Sequence, residues 1–108
     1  MSAIDILTRL FETISSRKGA DPQASYTAKL FHKGRTAIAQ KVGEEAVEVN
    51  IAALAEGPDA LAAESADLIY HLMVLWADAD ITPDQVWAEL EKREGMSGIE
   101  EKRARGEL

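Results

Sequence analysis

Leu68-Ile-Tyr-His-Leu-Met-Val-Leu-Trp76 is apolar on nearly every side when wound as a helix, and His71 stands in its middle. Pro58, suited to a first helical turn, opens a proline-free stretch that predicts a helix over residues 58–79. A helix apolar all round must be buried on most sides. A chain of 108 residues has few layers with which to surround one, so part of this surface is expected to meet a second copy, making a homodimer. Burial among the chain's own helices is the competing reading.

Working outward, Arg35 to Glu56 has no proline, is rich in alanine, and brings Ile38, Val42 and Val49 near one face, which predicts a long helix ended by Gly57-Pro58. Upstream, Ser25 is placed to cap a shorter helix through Leu30 and His32 that breaks at Gly34. At the start, Ile4, Leu7, Phe11 and Ile14 follow the helical period over residues 2–17, with Ser2 and Asp5 as a capping box. Downstream, Thr82-Pro83-Asp84-Gln85 supplies an N-cap, a first-turn proline and a capping-box partner for a last regular helix to about Glu94, stopped by Gly95. The tail, residues 96–108, is too polar to pack unaided and is expected to be flexible. No strand, repeat or linker divides the chain. The expected class is all-α: a single domain over residues 1–108, a bundle of four to five helices completed by dimerisation.

Composition narrows the function. Hydrophobic residues make up 46% and charged residues 29%, the balance of a globular chain. A net charge of −7 argues against nucleic-acid binding, which leaves a basic footprint. There is no cysteine, hence no disulfide, thiol nucleophile or cysteine-ligated zinc. The N-terminus does not read as a signal peptide, and the apolar run from Leu68 to Ala77 is about half of the ~20 residues a membrane span needs. A cytoplasmic protein with no membrane partner is the expectation.

Two helices each carry a tight acidic pair. Glu45 and Glu48, then Glu64 and Asp67, are spaced i, i+3, so each pair projects to one side. Hard divalent cations, Mg²⁺ above all, take oxygen ligands of this kind. At 100° per residue Lys41, Glu44, Glu45 and Glu48 share one arc, where mutual repulsion calls for a cation that Lys41 supplies only in part. A solvated acidic face is the bland alternative for the first pair. Against it, Glu64, Asp67 and His71 fall on the side of Leu61, Leu68, Leu72 and Leu75 and are expected to look inward, where a carboxylate needs a cationic partner. His71, one turn after Asp67, reads either as a satisfied core histidine or as a residue supporting that carboxylate from behind. Trp76 and Trp87 read as core or interface. Residues 22–43 hold no acid yet carry Lys29, Lys33, Arg35 and Lys41, a basic lead-in that suits a polyphosphate.

Ser25-Tyr-Thr-Ala-Lys-Leu30, Gln40-Lys-Val-Gly-Glu-Glu-Ala-Val-Glu48, Glu64-Ser-Ala-Asp-Leu-Ile-Tyr-His-Leu72 and Ser97-Gly-Ile-Glu-Glu-Lys102 together resemble the phosphoribosyl-ATP pyrophosphohydrolases of histidine biosynthesis, within the MazG-like all-α nucleoside triphosphate pyrophosphohydrolases. The resemblance runs over nearly the whole chain. It implies a Mg²⁺-dependent homodimer that hydrolyses 1-(5-phosphoribosyl)-ATP to 1-(5-phosphoribosyl)-AMP and pyrophosphate. By motif it makes Glu45, Glu48, Glu64 and Asp67 metal ligands and Glu44 a further ligand or the base for the attacking water. It assigns phosphate binding to Lys29, Lys41, Lys102 and Arg105. Asn50 departs from the aliphatic residue usual there, which is expected to soften local packing. A house-cleaning nucleoside triphosphate pyrophosphohydrolase would share both acidic pairs. A non-catalytic helical dimerisation module would carry the carboxylates only for solubility.

Overall fold

The computed structural model describes residues 3–94 and 98–107. Six α-helices follow one another, with no strand among the described residues. They are α1 (Ala3–Ser15), α2 (Tyr26–Lys33), α3 (Arg35–Ile51), α4 (Pro58–Asp78), α5 (Pro83–Arg93) and α6 (Gly98–Ala104).

Local chemistry sets most of these boundaries. The Ser25 side chain accepts from the Ala28 backbone N–H and starts α2. Gly34 alone joins α2 to α3; at φ 96° it occupies backbone space that a β-carbon disfavours, and its N–H bonds the carbonyls of Leu30 and Phe31. Thr82 and Gln85 form the expected reciprocal capping box at α5. The Ser2 capping box and the Gly95 stop lie outside the described residues.

Two expectations need correction. The helix expected to run unbroken from Arg35 to Glu56 is α-helical only to Ile51; Ala52–Glu56 forms a wider π-turn, because the N–H of Gly57, at φ 110°, reaches back five residues to the Ala52 carbonyl. The tail also contains a helix where none was read. Its described residues are nonetheless exposed, as their polarity requires.

Ile14, Leu30, Ile38, Met73, Val74 and Ala77 form the buried core, with Leu7, Leu10, Phe11 and Trp76 packed against it. The principal packing is α3 against α4, with α1 and α2 laid on α4. Arg35 ties the start of α3 to the end of α4, its Nε 2.8 Å from an Asp78 carboxylate oxygen and its Nη2 2.9 Å from the Asp78 carbonyl. Trp76 meets Trp87 edge to face, with centroids 6.0 Å apart. Asn50 is exposed, so the packing it was expected to soften is not there to lose. By length and composition α4 could cross a membrane, with a mean hydropathy of 1.2, but only 22% of that apolar window is buried within one chain.

Candidate active site

The α3–α4 packing brings three carboxylates together. Glu45 of α3 and Glu64 and Asp67 of α4 each place one oxygen within 4.8 Å of the others. Glu45 is nearly covered, with 12% of its side chain exposed, whereas Glu64 is half-buried and Asp67 is exposed. The expectation that Glu64 and Asp67 both look inward is thus corrected for Asp67. A step of three residues turns it 60° short of a full turn from Glu64, to the rim of the arc that buries His71. Glu48 stands exposed outside this trio.

The trio is electrostatically unbalanced. Partial burial raises the pKa of Glu64 above the ordinary carboxylate value, and the charges of Asp67, Glu48, Glu45 and Glu56 raise it further. So Glu48, though outside the trio, is felt there. Lys41 supplies partial relief from α3, its ammonium 3.5 Å from both Glu44 and Glu45. Glu44 is also reached by Gln40 Nε2 at 3.3 Å and is exposed beside Lys41. Three hard oxygen donors so arranged fit Mg²⁺ and offer nothing to a soft metal.

Behind the trio, His71 is buried and bonded at both nitrogens. Its Nδ1 lies 2.7 Å from the Asp67 main-chain oxygen, which can only accept, so Nδ1 carries a proton. Its Nε2 lies 3.0 Å from the Tyr26 hydroxyl. In the neutral ring Nε2 therefore accepts, and Tyr26 donates. Burial raises the Tyr26 pKa, against the pull of Lys41, which keeps the phenol protonated as this bond requires. His71 thus supports Asp67 through the backbone rather than through its carboxylate. Alongside it, Thr27 and Tyr70 pair their hydroxyls.

The basic block divides. Arg35 is engaged with Asp78 in holding the fold. Lys29 and Lys33 are exposed, and Lys33 lines a groove of about 320 Å³ between α2 and α3 with Tyr26, Leu30, Ala37, Gln40, Lys41 and Glu44. Lys102 is exposed on α6, and Arg105 just beyond it meets Glu107 at 2.7 Å. The sequence reading passed over Tyr26 and Gln40. The available signal was spacing: Tyr26, Leu30 and Lys33 form one i, i+4, i+7 stripe, and Ala37, Gln40, Lys41 and Glu44 form another.

Residues 7–94 match the family model described as phosphoribosyl-ATP pyrophosphohydrolase. The chain belongs to the phosphoribosyl-ATP pyrophosphohydrolase family. It is similar to the phosphoribosyl-ATP pyrophosphatase of Rhodospirillum rubrum, 62% identical over 94% of this chain and 86% of the relative. It is similar also to the proteins of that name from Azospirillum brasilense, 63% identical over 93% of this chain and 90% of the relative, and Paramagnetospirillum magneticum, 62% over 93% and 92%. The stretch that matches the phosphoribosyl-ATP pyrophosphohydrolase model holds both acidic pairs, His71 and the α2–α3 groove, and leaves Lys102 and Arg105 beyond its end.

Proposed function

We propose that this chain hydrolyses 1-(5-phosphoribosyl)-ATP to 1-(5-phosphoribosyl)-AMP and pyrophosphate, the second step of L-histidine biosynthesis, with Mg²⁺ as cofactor. The observation that carries this is the carboxylate trio at the α3–α4 packing, in a chain that belongs to this family. Glu45, Glu64 and Asp67 would hold the metal, and Glu48, whose charge raises the Glu64 pKa, would join them on binding. When bound, Mg²⁺ supplies neutralisation of phosphate charge and acidification of water.

The chain's own groups do the rest. Glu44, hydrogen-bonded by Gln40 and paired with Lys41, would take the proton of the attacking water. That water's oxygen forms a bond to phosphorus across the α–β linkage, the anhydride bond breaks, and pyrophosphate leaves with the bonding pair. Lys41 and Lys29 meet phosphate charge, and Lys102 and Arg105 bring more from the tail. His71, fixed between Tyr26 and the Asp67 backbone, holds that turn of α4 against α2.

The working unit we infer is a homodimer. One chain exposes 7337 Å², against about 5,900 Å² for a folded monomer of 11.8 kDa. Its radius of gyration is 16.0 Å, against about 13 Å for a compact chain of this length. Val47, Ile51 and Leu54 form an exposed apolar stripe at i, i+4, i+7, Leu54 being 90% exposed. A second copy covering that stripe and the open side of α4 would complete the bundle, and we place it in the cytoplasm.

The experiment is product identification: wild-type protein with Mg²⁺ yields pyrophosphate and phosphoribosyl-AMP in equal amounts. Faster turnover of free deoxynucleoside triphosphates, to monophosphates and pyrophosphate, would favour a house-cleaning enzyme instead, and release of orthophosphate would contradict both readings.

A further inference from the structure

The groove between α2 and α3 ends at Lys33, a charge that the hydrolysis step does not use. Its two walls are the facing stripes Tyr26–Leu30–Lys33 and Ala37–Gln40–Lys41–Glu44, each eight residues long, or about 10 Å of helix from first to last. Because Gly34 turns α2 directly into α3, Lys33 lies at the closed end, while Tyr26, Lys41 and Glu44 lie towards the carboxylate trio. Between the ends stand buried Leu30, Ala37 and the neutral amide of Gln40. Lys33 has no ion pair among the described residues, whereas Lys41 has two.

A pyrophosphate chain is anionic along its whole length and would lie badly on that neutral middle. A ligand with one anion at the Lys33 end and an uncharged ring over the middle fits it. A volume of about 320 Å³ is at the small end for ligand sites, enough for a sugar phosphate and too little for a whole nucleoside triphosphate.

We propose that this groove is the subsite for the substrate's phosphoribosyl arm, Lys33 pairing with its phosphomonoester while the sugar lies over Leu30 and Ala37 beside the Tyr26 ring. This rests on the reaction proposed above, and it locates discrimination between phosphoribosyl-ATP and ATP at the closed end of the groove. Gln40, whose amide carbonyl has no described partner, is placed to accept from a sugar hydroxyl. Tyr26 keeps its ring as a fixed wall because its hydroxyl is held by buried His71.

The test uses ribose 5-phosphate and inorganic pyrophosphate as separate probes, read by chemical-shift changes at the Leu30 methyls and the Gln40 side-chain amide. Ribose 5-phosphate shifts these signals in the wild type, fails to do so in Lys33→Ala, and does so again in Lys33→Arg, while pyrophosphate affinity is equal in all three. In turnover Lys33→Ala raises KM for phosphoribosyl-ATP about tenfold, the scale of one lost charge-assisted hydrogen bond, with the loss falling on KM rather than kcat. Unchanged KM, no response to ribose 5-phosphate, or a selective loss of pyrophosphate affinity would overturn the assignment. The titration needs no turnover, so a wild type inactive on phosphoribosyl-ATP would refute the reaction and leave the groove's ligand still measured.

Discussion

His71 Nδ1 sits 2.7 Å from the main-chain oxygen of Asp67, one turn earlier on the same helix. The carbonyl fixes the proton on Nδ1 and leaves Nε2 to accept from Tyr26, so a single buried ring joins α2 to the acidic face of α4. His71→Phe keeps a ring and removes both bonds. Expected is a loss of ~1–3 kcal/mol in chemical denaturation, the scale for disrupting buried hydrogen bonds. Nitrogen chemical shifts of the wild-type imidazole should report the Nδ1–H tautomer; the other tautomer would contradict this arrangement.

Glu64 gives a pH dependence whose sign follows from its raised pKa. A carboxyl that holds its proton more tightly when folded stabilises fully below its unfolded value, near 4.5, and that contribution is lost as pH rises through the folded value. In chelator, Glu64→Gln should therefore be more stable than wild type at pH 7 and indistinguishable from it near pH 4. Mg²⁺ should reverse the order at pH 7 by stabilising the wild type alone. Urea midpoints at the two pH values check both statements.

Arg35 makes the clearest separation of structure from chemistry. Its guanidinium is 61% exposed, so the pair with Asp78 is discounted for solvent, and Arg35→Ala should cost about 1 kcal/mol or less. Turnover should stay within twofold of wild type once the protein is folded. A large loss of activity without a loss of stability would return Arg35 to the phosphate-binding set.

The exposed stripe that runs from α3 into the π-turn predicts the assembly. Leu54→Glu places a charge where a second copy is expected, and sedimentation should show the variant as a monomer of about half the wild-type mass. A wild type that sediments at 11.8 kDa would remove the dimer from this account.

Much of the architecture was legible because its signals are local. Ser25, Gly34, Pro58 and the Thr82–Gln85 box each act on the backbone within a few residues, and the helices begin or break there. The π-turn at Ala52–Glu56 was not legible, since it depends on which carbonyl the Gly57 N–H finds and not on propensity. The carboxylate site was legible as two pairs, yet period alone could not place them at the correct depth. Glu45 and Glu64 are partly covered by the α3–α4 packing, Asp67 lies on its rim, and Glu48 stands outside it. Arg35 read only as one charge of the basic lead-in because its partner Asp78 lies 43 residues away, beyond the reach of spacing arguments. The Tyr26–His71 bond was hidden for the same reason, at a separation of 45 residues.

The central claim is that Glu45, Glu64 and Asp67 make one Mg²⁺ site serving pyrophosphate release. The most direct measurement is the rate of pyrophosphate release from phosphoribosyl-ATP across a Mg²⁺ titration, for wild type, Glu45→Gln and Asp67→Asn, with thermal shift by Mg²⁺ recorded on the same samples. The account predicts Mg²⁺-dependent turnover and stabilisation in the wild type. Both variants should stay folded, lose most of the stabilisation, and fall at least a hundredfold in rate, the scale of ~2.7 kcal/mol of transition-state stabilisation. Near-normal turnover in both variants, or wild-type turnover undiminished in chelator, would contradict it.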